Sequence, residues 1–284
     1  MKNHFDVLVI GGGSGGLAHA QRASEYGASS AVVESGPLGG TCVNVGCVPK
    51  KVMWYGAHIA HSIHDAAGYG IDASISNIDW GVLKDRRDAY VRRLNDIHER
   101  LLRDNGVDYF NGHGRFVDAH TLRVGDETVT ARHIVIATGG RPRIPDIPGA
   151  GLGIDSDGFF ALEDCPATVA VVGSGYIGVE LAGMFAALGA KVRQFVRYDA
   201  ALRTFDPMIQ DALKNALADA GVELVTKSVP ESIRGEPGNL RLHTADGQSH
   251  GPFEQVLWAV GRDPSTDRID IANAGVDLDD RGHV

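Results

Sequence analysis

The chain has 284 residues, 43% of them hydrophobic and 22% charged, with a net charge of −9. That length suffices for two domains with separate cores. The lack of a basic tract or of an apolar run near ~18 residues argues against nucleic acid, an anionic membrane surface and a bilayer span. Met1 to Asp6 show neither the basic start nor the apolar core of a signal peptide, so the cytoplasm is the expected location.

In chain order, Val7 to Ile10 reads as a strand that runs into Gly11-Gly12-Gly13-Ser14-Gly15-Gly16, a Gly-x-Gly-x-x-Gly fingerprint. An Ala-rich helix, Leu17 to Tyr26, and a second strand, Ser30 to Val33, follow it. Strand, glycines, helix and strand in that order point to a dinucleotide fold, in which the backbone turns tightly and approaches a pyrophosphate at the helix N-terminus. Glu34 closes the second strand, where a carboxylate binds the ribose hydroxyls of an adenosine. Two long helices are expected from about Cys47 to Ala67 and from Trp80 to Asn105, then short strands between Val107 and Ile136. Pro142, Pro145, Pro148, Gly149 and Gly151 mark a connection and a domain boundary.

The pattern then repeats. Val169 to Val172 leads into Gly173-Ser174-Gly175-Tyr176-Ile177-Gly178, a helix to Leu188 and a strand from Lys191 to Val196. Here Arg197 follows the strand, with Arg203 a little further on. A carboxylate at this point would repel a 2′-phosphate, whereas guanidinium groups attract one, so the second site reads as NADPH-binding. Pro207 to Ala220 reads as a helix, and Val222 to Val225, Leu240 to Thr244 and Gln255 to Val260 as strands. The fold class expected is α/β, with two Rossmann-like domains, each a parallel sheet plus a small antiparallel meander. The expected bounds are 1–148, 149–270 and a final segment 271–284.

Between the fingerprints lies Gly39 to Lys51, which holds two of the three cysteines, Cys42 and Cys47, five positions apart. A cysteine pair beside a nucleotide turn suggests a thiol–disulfide couple supplied with electrons by a cofactor. The start of a helix near them would favour a thiolate, and Lys50 follows Cys47 on the same helical face. Cys165, alone before Pro166, reads as structural. His58, His61 and His64 share a helix face and read as solvated rather than as a metal site, while Trp54 and Tyr55 read as packing residues.

The Gly39–Lys51 segment resembles the redox-active segment of the pyridine nucleotide–disulfide oxidoreductases, and within that family it is most similar to the glutathione reductases. Arg87 to Val91, Ala137 to Gly140, Ser156 to Phe160 and Trp258 to Arg262 carry the same resemblance. It implies FAD on Gly11, Gly13, Ser14, Gly15, Gly16 and Glu34, with Gly40, Thr41, Thr138, Gly139 and Arg262 in further contacts. It implies NADPH on Gly173, Gly175, Ile177, Arg197, Arg203 and Gly261, with Tyr176 as a gate over the flavin. Electrons would pass from NADPH through FAD to a Cys42–Cys47 disulfide. Cys47 would lie nearest the ring and Cys42 would attack oxidised glutathione, with Lys50 and Glu180 as a buried ion pair. Gln21 and His98 stand where relatives carry an arginine and a tyrosine that serve glutathione, so another disulfide substrate stays open. The resemblance also implies that members continue far beyond residue 284, through a domain that completes the FAD site, forms a homodimer and supplies an acid–base histidine. No residue here is assigned as that acid, and a non-catalytic, nucleotide-binding fragment is the remaining alternative.

Overall fold

The computed structural model describes residues 3–284. Met1 and Lys2, part of the stretch read above against a signal peptide, lie outside the described residues. In chain order the elements are β1 (His4–Ile10), α1 (Ser14–Glu25), β2 (Ser30–Glu34), α2 (Gly40–Asn44), α3 (Cys47–Asp65) and α4 (Trp80–Asp104). There follow β3 (Asp108–Asn111), β4 (Gly114–Asp118), β5 (Thr121–Val124), β6 (Glu127–Ile136), β7 (Gly140–Pro142) and α5 (Ser156–Ala161). The remainder are β8 (Thr168–Val172), α6 (Tyr176–Ala187), β9 (Lys191–Phe195), α7 (Pro207–Asp219), β10 (Glu223–Val225), β11 (Pro230–Glu236), β12 (Asn239–Thr244), β13 (Ser249–Phe253), β14 (Gln255–Trp258) and β15 (Arg262–Pro264).

The chain divides into two compact units. One comprises Met1–Pro49, Asp88–Arg141 and Asp263–Val284, the other Lys50–Arg87 and Pro142–Arg262. In the first, β3-β2-β1-β6 is parallel and β6-β5-β4 turns antiparallel, giving a six-stranded sheet. Its parallel strands are apolar on both faces, as crossover connections require. Leu8 and Ile10 of β1 face a core with Phe5, Val33, Phe110 and Leu122, while Val9 faces Leu17, Val32, Leu102 and Val107. The alternation is the two-residue period of a strand.

The second unit holds a four-stranded parallel sheet, β10-β9-β8-β14, and a separate antiparallel meander, β11-β12-β13. Val172, Phe195, Ile233, Leu242, Phe253 and Trp258 form one core of this unit. Trp80, Phe159 and Phe185 form an aromatic cluster in the same unit, with ring centroids 4.8–6.2 Å apart. Beside it the fully buried Arg87 donates to the Phe160 carbonyl at 2.7 Å.

Most expected elements form, with short end corrections. α3 stops at Asp65 and tightens into a 3-10 turn, Ala66–Tyr69, before Gly70 at φ +76°. β14 stops at Trp258, since Gly261 must adopt φ +137°. The strands β7, β11, β13 and β15 and the helices α2 and α5 have no counterpart in the sequence reading. α5 has only six residues and depends on Asp155, whose side chain accepts from the Asp157 and Gly158 amides. Among the described residues, no helix is long and apolar enough to cross a membrane.

Both fingerprints are sterically locked. A Cβ on Gly16 would lie 1.9 Å from the Gly11 carbonyl oxygen, and one on Gly178 would lie 2.8 Å from that of Gly173. Helix and strand thus touch through hydrogen-only positions. Gly16→Ala forces backbone apart and should destabilise the fold by about 1–3 kcal/mol or more in urea unfolding; an unchanged midpoint would contradict this packing.

Candidate functional site

In the first unit, Gly11 turns the chain at φ +108°, with the position of its Cβ taken by the Ala137 carbonyl. The middle glycine is different. Gly13 lies at φ −81°, which any residue can adopt, and its nearest neighbour is Gly40 Cα at 3.8 Å. A Cβ on Gly15 would meet nothing within 4 Å. These positions lack a crowding reason to be glycine, and they lie at the N-terminus of α1, where free N–H groups bind anions.

Glu34 ends β2 and accepts the Gly12 amide on one carboxylate oxygen and the Gly36 amide on the other, each at 2.7 Å. Each oxygen keeps a lone pair for a ribose hydroxyl. Glu34, Gly11, Thr138, Arg141 and Asp267 share a cleft of about 340 Å³. The bidentate Arg141–Asp267 pair, at 2.8 and 3.0 Å, forms part of its wall. Gly139 stands at φ +63° and its carbonyl receives the Ser265 amide. The open glycines, helix end and carboxylate fit a dinucleotide such as FAD.

The cysteine segment is fastened to this turn backbone to backbone. The Gly39 amide donates to the Gly12 carbonyl at 2.8 Å, Gly13 and Gly39 form a parallel bridge, and a Cβ on Gly40 would lie 2.7 Å from Gly13 Cα. α2 then carries Cys42, half-buried, and the next turn brings exposed Cys47 to the start of α3. Cys47 and Ser14 of the fingerprint both neighbour the Cys42 thiol. Cys42 therefore neighbours both Cys47 and the nucleotide turn.

Asn44 closes α2 by donating to the Leu38 and Gly40 carbonyls at 3.2 and 2.9 Å. Asn95 of α4 holds both Leu38 and Asn44 from the side, at 2.7 and 2.9 Å. Sequence reading missed these two amides, since a polar pair 51 positions apart has no local signature. The helix start expected near the two cysteines is that of α3, which begins at Cys47. Burial, then its contact with Cys47, raises the Cys42 thiol above its ordinary range. Cys42 sits inside a five-residue helix rather than at the start of a long one, so little dipole opposes burial.

In the second unit, Gly173 turns at φ +143° against the Ala259 carbonyl, while Gly175 has φ −81° and nothing within 4 Å of a Cβ. Gly173, Gly175, Tyr176, Ile177, Arg197, Gly261 and Arg262 line a cleft of about 580 Å³. Arg262, expected at the flavin, lies in this cleft because it follows β14, whose end is paired beside the fingerprint strand β8. Tyr176 opens α6 and is 59% exposed. Arg203 lies just outside the lining, on the loop before α7.

Lys50 and Glu180 pair at 2.9 Å, as the resemblance implies. The pair is not buried: 25% of one side chain and 35% of the other remain accessible. Both residues project from the early turns of their helices, α3 and α6, rather than from a helix middle. Thr41 is exposed.

Other expectations resolve individually. Gln21 accepts from Asn105 at 2.9 Å and donates to the Leu17 carbonyl at 3.0 Å, so its amide is engaged within the fold. His98 has a buried, unpartnered Nδ1, and burial holds its pKa below the usual value. His58 stacks on Trp54 at 5.2 Å, but Trp54 and Tyr55 are exposed and do not join a core. Burial, with Glu254 nearby, pushes the Cys165 thiol up to about 11, consistent with an inert structural residue.

A family model described as pyridine nucleotide-disulphide oxidoreductase matches residues 5–284. The glutathione reductase of Yarrowia lipolytica is 44% identical, over 99% of this chain and 63% of the relative. That of Schizosaccharomyces pombe is 46% identical, over 96% and 61%. Among solved structures, the HOCl-induced flavoprotein disulfide reductase RclA from Escherichia coli matches with a TM-score of 0.86 and 29% identity, over 98% of this chain and 61% of that one. The chain thus spans about three fifths of the length of the proteins it matches.

Two expected outcomes follow from the geometry. Gly175→Ala fits without strain, so thermal stability should hold while affinity for a nicotinamide dinucleotide falls at least about tenfold; unchanged affinity in calorimetry would show that no ligand approaches there. The raised Cys42 thiol stays protonated at neutral pH. Its alkylation by iodoacetamide, followed by mass spectrometry of the reduced protein, should keep accelerating beyond about pH 8.5. A plateau below pH 7 would contradict the burial argument.

Proposed function

The chain belongs to the pyridine nucleotide–disulphide oxidoreductase family, and from that premise we propose that it forms part of an NADPH-dependent, FAD-containing reductase of glutathione disulfide. The observation that carries this reading is the neighbouring Cys42–Cys47 pair, fastened by Gly39 and Gly40 to a glycine turn whose open positions suit a dinucleotide.

The residues divide the work. Glu34 receives the FAD ribose, and the α1 N-terminus with Gly13, Ser14, Gly15 and Gly16 takes its pyrophosphate; Gly40, Thr41, Thr138 and Gly139 border it. Gly173, Gly175, Ile177 and Gly261 cradle the nicotinamide nucleotide, whose 2′-phosphate falls to Arg197 and Arg203. Bound FAD supplies the relay between a hydride donor and a dithiol. Tyr176 moves aside to admit the nicotinamide, and Lys50, oriented by Glu180, contributes positive charge.

Toward substrate, the Cys42 thiolate attacks one sulfur of glutathione disulfide. The S–S bond breaks, one glutathione thiolate leaves and takes a proton, and a mixed disulfide forms on Cys42. Cys47 then attacks the Cys42 sulfur, releasing the second glutathione and forming the Cys42–Cys47 disulfide. Two electrons and two protons, counting those delivered from NADPH, restore the dithiol. The high Cys42 pKa needs a base or a nearby cation to expose the thiolate during turnover.

One observation favours a second reading, a sister reductase with another small disulfide. Gln21, where the resemblance expects a charged group for a glutathione carboxylate, spends its amide on Leu17 and Asn105. NADPH oxidation by the FAD-saturated protein, with glutathione disulfide and other low-molecular-weight disulfides in parallel, separates the two. Glutathione disulfide should be the better substrate, and Cys42→Ser or Cys47→Ser should each lower turnover by about 10³-fold or more. Turnover insensitive to both substitutions would sink the proposal.

A further inference from the structure

We propose that Tyr198 is a specificity-determining positioning residue, whose ring gathers Arg197 and Arg203 into one receptor for a ribose 2′-phosphate. The inference rests on the NADPH reading given above and deepens it.

The Arg203 guanidinium lies 4.1 Å from the Tyr198 ring centroid and that of Arg197 lies 4.9 Å from it. Two like charges gathered on one ring repel each other, and the negative face of the ring offsets that repulsion. Neither guanidinium has a carboxylate partner among the described residues, whereas Arg193, earlier on the same segment, is paired with Glu223 at 2.6 Å. The acid next in sequence, Asp199, is taken by Lys227 at 2.9 Å. The two arginines therefore keep their donors for an anion from outside the fold. A dianionic phosphate accepts from both and relieves their repulsion.

The backbone is arranged to keep this geometry. The Tyr198 carbonyl accepts the Lys227 amide at 3.0 Å, and the Ser228 amide donates to the Val196 carbonyl at 3.0 Å, so the backbone that carries the ring is held by a neighbouring segment. Leu202 stands at φ +52°, a conformation that a branched residue rarely adopts. There its amide reaches the Ser174 carbonyl of the fingerprint at 2.7 Å, which returns the next residue, Arg203, to the ring. Strain of that kind marks functional segments. Tyr198 and Arg197 line the 580 Å³ cleft, together with Ser228, which is 3% exposed and whose Oγ has no partner.

The test compares adenosine 2′,5′-bisphosphate with adenosine 5′-monophosphate, which differ in the 2′-phosphate alone, by calorimetry on the full chain. Tyr198→Leu keeps the bulk and removes the aromatic face. The bisphosphate preference should fall by about 5- to 30-fold, with monophosphate affinity unchanged. Tyr198→Phe should retain the preference to within about twofold. If Tyr198→Leu keeps the preference, or weakens both nucleotides equally, the inference is overturned. Arg197→Ala separates the two levels: loss of preference there but not in Tyr198→Leu rejects only the role of Tyr198. Retention of preference in Arg197→Ala rejects the NADPH reading and this inference with it.

Discussion

The structure of the first unit depends on one backbone crossing. Gly12 and Gly13 of the nucleotide turn meet Gly39 and Gly40 of the redox segment so closely that a Cβ on Gly40 would lie 2.7 Å from Gly13 Cα. No side chain separates the two segments, and the Gly39 amide bonds directly to Gly12. A contact of that kind cannot drift by an ångström without losing its hydrogen bond. It sets where α2 begins, and therefore where Cys42 sits relative to the N-terminus of α1. The closeness of Ser14 to the Cys42 thiol is a consequence of the same crossing.

The fingerprints show two different uses of one residue type. Gly11, Gly16, Gly173 and Gly178 are required by the protein's own atoms, through positive φ or through helix–strand contact. Gly13 and Gly175 are required by nothing in the fold. The same motif thus separates into positions that hold the turn and positions that leave space, and the second set defines the site. The units then differ in the charge placed at the next strand end: the Glu34 carboxylate in one, Arg197 with Arg203 in the other. Under the proposed function, that difference in sign would select between a bare ribose and a phosphorylated one.

Local chemistry was legible in the sequence because strand, glycines and helix are contiguous, and the cysteines share one short segment. The Lys50–Glu180 pair, separated by 130 positions, was accessible only through resemblance, and its partial exposure was not. The meander strands β11 and β13 were unread because Pro230, Gly235, Gly251 and Pro252 disguise their alternation. The Asn44–Asn95 clamp and the internal engagement of Gln21 depend on which helices meet, information that periodicity does not carry. The raised Cys42 thiol was likewise unread, because its burial beside a second thiol depends on packing that spacing does not show.

The central claim is that nicotinamide electrons end on the Cys42–Cys47 sulfurs. The most direct measurement is an anaerobic count of titratable thiols in the oxidised, FAD-saturated protein before and after addition of one equivalent of NADPH. The account predicts two new thiols per chain, located by mass spectrometry at Cys42 and Cys47, with Cys165 unchanged. Consumption of NADPH with no new thiol at those positions would contradict it.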